Sequence, residues 1–97
     1  MKFTEKYKII KEGMADRPRT DAERLRHAIE GELDAINLYD QLAAETKNKD
    51  VSKVLLDISK EEKIHVSELE TVLNMIDKEQ IVADKDGESE VEKTLKK

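Results

Sequence analysis

The chain has no cysteine and no tryptophan, and only one proline, three glycines and one phenylalanine among 97 residues. Without cysteine there are no disulfides, thiolate zinc sites, iron–sulfur clusters or thiol nucleophiles. No apolar run approaches the roughly 18 residues that would cross a bilayer, and the start of the chain lacks the apolar stretch of a secretory leader. An excess of basic charge is missing too: 18 Lys and Arg face 23 Asp and Glu, for a net charge of −5. Nucleic acid is therefore not the expected partner, because phosphate binding needs a basic face. These absences predict a soluble, cytoplasmic chain. Charge is what the sequence has most of, at 42% against 37% hydrophobic residues. A chain this short and polar is one small domain with little to bury.

The first 19 residues are mildly basic, six Lys and Arg against three Asp and Glu, with a short apolar cluster at Phe3, Tyr7, Ile9 and Ile10 before Gly13 and Pro18. They read as an arm. Thr20-Asp21-Ala22-Glu23 fits a capping box, in which hydroxyl and carboxylate serve the free amides of a helix start. From Asp21 to about Thr46 only Gly31 interrupts a helical pattern. Asn48-Lys49-Asp50 is a polar break, with Asp50 the expected cap, and Val51 to about Gln80 reads as a second helix. Asp86-Gly87 marks a turn, beyond which residues 88–97 are polar except for Val91 and Leu95. They form a tail, a linker or a weak third helix. The resulting boundaries are an arm over 1–19, a helical hairpin over 20–80 and a polar tail or start of a linker over 81–97. The expected fold is all-α, an antiparallel two-helix hairpin that dimerises into a four-helix bundle.

Both apolar seams are broken by ionisable residues. On the second helix Val51, Leu55, Ile58, Leu69, Val72 and Ile76 follow steps of three and four. Continuing those steps from Ile58 gives Glu62 and His65 before Leu69. On the first helix Leu25, Ile29, Ile36, Tyr39 and Ala43 form the facing stripe, and its missing member is Glu32. A buried carboxylate is costly unless it is compensated. Glu62 and His65 form Glu-x-x-His, which sets both side chains on one helical face a turn apart. Carboxylate-bridged di-iron bundles use one Glu from each of two helices and Glu-x-x-His from each of two others. This chain holds half of that set. Two copies about a two-fold axis would complete it with two Glu32, two Glu62 and two His65, enough for a pair of iron, manganese, zinc or cobalt ions.

Plainer readings stand beside this one. A lone histidine on an apolar face is more often a satisfied core residue, and a lone seam glutamate often sets coiled-coil pairing. Three such residues that complete half a ligand set favour metal. Tyr39, two turns beyond Glu32, is either a packed core residue or an outer partner of the metal site. A second polar stripe through Glu23, His27, Glu30, Asp34, Asn37 and Gln41 points away from Glu32. It is a solvated face, with Glu30 and Asp34 the carboxylates suited to a weak metal relay or a subunit contact.

Glu32-Leu33-Asp34-Ala35-Ile36-Asn37-Leu38-Tyr39 and Glu61-Glu62-Lys63-Ile64-His65 resemble the encapsulated ferritin family. The resemblance spans roughly Thr20 to Gln80. It implies a ferritin-like helical hairpin acting as a ferroxidase (an Fe(II):oxygen oxidoreductase) for iron storage inside an encapsulin shell. It further implies a di-iron site across a homodimer interface, and a decamer-like ring of dimers. Matched residue by residue, Glu32, Glu62 and His65 are its iron ligands, Tyr39 its nearby tyrosine, and Asp34 an acidic position of an accessory metal-uptake site. Gly31 and Leu38 depart from the family pattern, which often has an acid and a tryptophan there; Glu30 is the nearest substitute for the missing acid. Residues 88–97 are too charged to resemble a shell-docking peptide, so the chain looks most like the archaeal type fused to the N-terminus of the shell protein. The rival expectation from another class is a non-catalytic, metal-stabilised helical assembly module. A peroxide-scavenging relative of rubrerythrin ranks lower, because no second Glu-x-x-His and no rubredoxin-type cysteines are present.

Overall fold

The computed structural model describes residues 20–96, so the expected arm over 1–19 lies outside the described residues. Three helices follow one another: α1 (Asp21–Glu45), α2 (Lys49–Ile76) and α3 (Lys78–Leu95). Among the described residues there is no strand. The all-α expectation holds, with one helix more than the hairpin.

α1 starts where the capping pattern places it. The Thr20 hydroxyl oxygen accepts the Glu23 amide at 3.1 Å and donates to the Glu23 carboxylate at 3.3 Å. Such a cap contributes about 1 kcal/mol. At the next helix start the expected cap is corrected. Asn48, not Asp50, caps α2: its Oδ1 accepts the amides of Asp50 and Val51 at 3.0 and 3.1 Å. Asp50 sits in the first turn, where a negative charge faces the positive end of the helix dipole.

The residues that face inward change in size along the hairpin. Toward the loop stand the small Ala43, Ser52 and Ser59, with the Ser52 hydroxyl meeting the Ala43 carbonyl; toward the open end stand the larger Leu25, Ile29 and Leu73. Among the described residues Ala43, Ser59 and Leu73 are the buried ones. Along α2 the inward line is Ser52, Leu55, Ser59, Glu62, Val66, Leu69 and Leu73, all half-buried or buried. It is offset from the expected seam, of which Val51, Val72 and Ile76 remain exposed. On α1 the expected stripe of Leu25, Ile29, Ile36, Tyr39 and Ala43 does turn inward.

The second helix was expected to run unbroken to Gln80, but it stops at Asp77, whose backbone lies at φ −114°, ψ 85°. Asp77 also receives a tertiary partner: the Arg26 guanidinium of α1 donates to its Oδ2 at 2.8 Å. Beyond it the Gln80 amide reaches the Asp77 carbonyl at 3.1 Å and α3 begins. The turn expected at Asp86-Gly87 does not form. Both residues lie inside α3, and no described glycine has positive φ. Helix formers without proline dominate residues 78–95, and one tolerated glycine costs only about 1 kcal/mol. The described residues span 47 × 45 × 23 Å. A 28-residue helix is about 42 Å long and two side by side about 20 Å wide, so α3 accounts for the second long dimension by projecting sideways. It meets the hairpin only at the α2 junction.

Candidate metal centre

α1 and α2 run antiparallel, which brings position 32 of one level with positions 62–65 of the other. Glu32 and Glu62 both point into the seam, their side chains 27% and 18% exposed. His65 stands at the seam's edge, 48% exposed, rather than inside it. Its Nδ1 lies 3.3 Å from the Glu62 Oε2 and 3.5 Å from the Glu32 Oε2. Three ligand atoms, one from each residue, lie within 4.8 Å of one another. Ligands bonded at about 2.1 Å to one ion sit roughly 3.0–3.5 Å apart for octahedral and tetrahedral angles. The two measured separations fall in that range.

The donor chemistry fits a hard or borderline divalent cation. Two carboxylates and a neutral imidazole balance one ion's charge, and three protein ligands leave further positions open. Both carboxylates approach the same ring nitrogen, so Nδ1 is the His65 atom placed to share an ion with them. Without an ion the same atoms form a histidine–carboxylate cluster, with a hydrogen-bond contact between the His65 Nδ1 and the Glu62 carboxylate and the Glu32 carboxylate alongside.

The other residues expected near a metal stay apart from this group in the single chain. Tyr39 is half-buried on α1, about 10 Å of helix rise from Glu32, and makes no hydrogen bond among the described residues. Glu30 pairs with the His27 Nδ1 at 3.2 Å on the outer side of α1. Asp34 is exposed on that same side. Among the described residues only Glu32, Glu62 and His65 come together at metal spacing.

The flanks of the hairpin differ. At about 100° per residue, Val54, Ile58, His65, Val72 and Ile76 occupy one sector of α2 about 40° wide. In an antiparallel pair it lies on the same side as Ala28, Ala35 and Leu42 of α1. Val54, Val72, Ile76 and Leu42 are exposed there, beside the open edge of the ligand group. The opposite flank carries polar links between the helices: Arg26 to Asp77, and the Ser59 hydroxyl to the Asp40 Oδ1 at 2.5 Å. Ser52 adds a hydroxyl donated to the Ala43 carbonyl at 3.1 Å. These links escaped a reading that searched the seam for apolar residues. The seven-residue spacing of Ser52, Ser59, Val66 and Leu73 is the signal that would have found the two serines.

The family profile described as Rubrerythrin matches residues 23–97. Over 79 residues the chain is 47% identical to a ferritin-like–encapsulin shell fusion protein of Pyrococcus furiosus. That stretch is 78% of this chain and 23% of the relative, so the chain spans under a quarter of the curated relative's length. The crystal structure of an encapsulated ferritin domain from Pyrococcus furiosus matches with a TM-score of 0.78 at 44% identity. The match covers 82% of this chain and 85% of that one.

Proposed function

The chain belongs to the rubrerythrin family, and from that premise we propose that it is a ferroxidase whose di-iron site is completed by a second copy of itself. The observation that carries the reading is the half-set of ligands, Glu32, Glu62 and His65, gathered at metal spacing beside an exposed apolar flank. Two hairpins that bury this flank against each other close a four-helix bundle and bring four carboxylates and two imidazoles together. The four carboxylate charges balance two Fe(II) ions. In such a dimer the two Glu62 would be the carboxylates shared between the metals, with one Glu32 and one His65 left to hold each of them.

Iron is the substrate in this reading. The carboxylates bind Fe(II) and favour the higher oxidation state by their negative charge; dioxygen takes the electrons. Tyr39 borders the site in the dimer, and Glu30 with Asp34 forms an outer metal-uptake site. Short hairpins enclose no store of their own. The shell fusion named in the relative supports oxidation inside an encapsulin compartment; a ring of dimers is the assembly this reading expects there.

The test is turnover of Fe(II) in air, followed as Fe(III) absorbance, by the native chain and by Glu32→Ala. Rapid oxidation by the native chain, lost in the variant, is the expected result. Equal rates would sink the assignment. Association with iron without oxidation would favour the non-catalytic assembly module, and faster turnover with hydrogen peroxide than with dioxygen would favour a peroxide-scavenging role.

A further inference from the structure

Ser59 is the most deeply buried residue of the described chain, at 1% exposure, and it is polar. Alanine would fit the same space, gain helix propensity and bring no hydroxyl to desolvate. A serine there needs an acceptor, and Asp40 of α1 provides one at 2.5 Å. The pair lies one turn from Glu62 and on the flank opposite His65. Ser52 links α2 to the Ala43 carbonyl one heptad earlier, close to the three-residue loop. Among the described residues, Ser59–Asp40 is therefore the last polar link joining α1 to α2 between that loop and the ligand group.

Register matters here because the ligand group depends on it. Glu32 comes from α1, Glu62 and His65 from α2, and their ligand atoms lie within 4.8 Å. Sliding one helix by half a heptad moves it about 5 Å and sets Glu32 beside Val66 in one direction or Ser59 in the other. The apolar residues alone resist such a slip weakly, because Leu55, Val66 and Leu69 repeat at the same steps. Ser59 is buried while Asp40 is exposed at the edge of the seam. A buried hydroxyl whose one acceptor on the facing helix stands at one height favours a single register, at some cost in stability. We infer that Ser59 and Asp40 are positioning residues: their hydrogen bond sets the α1–α2 register that holds Glu32 against Glu62 and His65. The inference rests on the metal-site reading, and it predicts an effect on metal affinity that stability does not follow.

The test uses the full 97-residue chain as wild type, Ser59→Ala, Asp40→Asn and Asp40→Ala. Co(II) affinity is read from its visible spectrum, and stability from thermal melts of the apo protein. Register is read in the apo state from the distance between spin labels on Arg24→Cys and Lys53→Cys, diluted with unlabelled chain. The chain has no cysteine of its own. These two sites lie roughly 30 Å apart along the hairpin, so a slip shows directly. Ser59→Ala should melt at or above the wild-type temperature, broaden the distance distribution by up to about 5 Å, and weaken Co(II) binding about ten-fold or more. Asp40→Asn keeps an acceptor and should restore wild-type affinity and register; Asp40→Ala should not. An unchanged distance distribution in Ser59→Ala, or Co(II) affinity within about two-fold of wild type, would overturn the inference. Should the wild type itself fail to bind Co(II), the metal-site reading falls, and the spin-label distances alone decide whether the pair sets register.

Discussion

Replacing Glu32 by glutamine should move the apo and metal-loaded proteins in opposite directions. Glu32 and Glu62 are both partly shielded from water, and their ligand atoms lie within 4.8 Å of each other. Two like charges at that distance repel by about 3 kcal/mol at an effective dielectric constant near 20. Side-chain exposures of 27% and 18%, and the imidazole between the acids, cut this to roughly 1 kcal/mol. Glutamine keeps the shape and removes the charge. The apo variant should then melt about 4–8 °C higher than the native chain at neutral pH, the shift that about 1 kcal/mol produces in a domain of this size. With Co(II) at about 100 times its dissociation constant, the native protein gains about 2.7 kcal/mol. A ten-fold loss of affinity at the same Co(II) concentration halves that gain. Differential scanning calorimetry with and without Co(II), at one protein concentration, reads both quantities. A lower apo melting temperature, or an undiminished metal-induced shift, would refute the reasoning that these acids repel each other and share an ion.

Val72→Glu places a charge on the exposed apolar flank beside His65; helical content should be unchanged by circular dichroism while metal-promoted association disappears in sedimentation experiments. Arg26→Ala removes a half-exposed ion pair worth only about 0.5 kcal/mol, so global stability should barely change. Amide exchange at the α2–α3 junction should nevertheless quicken, in the variant and in the native chain at high salt. Acidification should weaken metal binding and association together, since protons compete for His65 Nδ1 and the carboxylates; binding that holds constant down to pH 5 would count against these ligands.

Much of the helical hairpin was legible because its signals are local. Thr20 and Glu23 cap α1, Asp21–Glu45 is helical as its composition indicates, and the polar break at Asn48 separates two antiparallel helices. Glu-x-x-His was legible for the same reason, since its geometry follows from helix pitch alone. The end of α2 was not, because Asp77 is neither glycine nor proline and its partner Arg26 lies 51 residues away. Asp86-Gly87 misled in the other direction. Gly87 has open space around its Cβ position and sits in an ordinary helix, so neither packing nor backbone geometry required a glycine there. The cross-helix part of the site, His65 to Glu32 at 3.5 Å, depends on register. Register rests partly on Ser59 and Asp40, whose polarity hid them from a search for apolar seams.

Anaerobic titration of the purified chain with Fe(II), with native mass recorded before and after, bears most directly on the shared site. The account predicts saturation near two irons per two chains, accompanied by association of hairpins. Saturation at one iron per chain without association would contradict the shared site. The absence of iron binding would leave Glu32, Glu62 and His65 as a polar cluster within the seam.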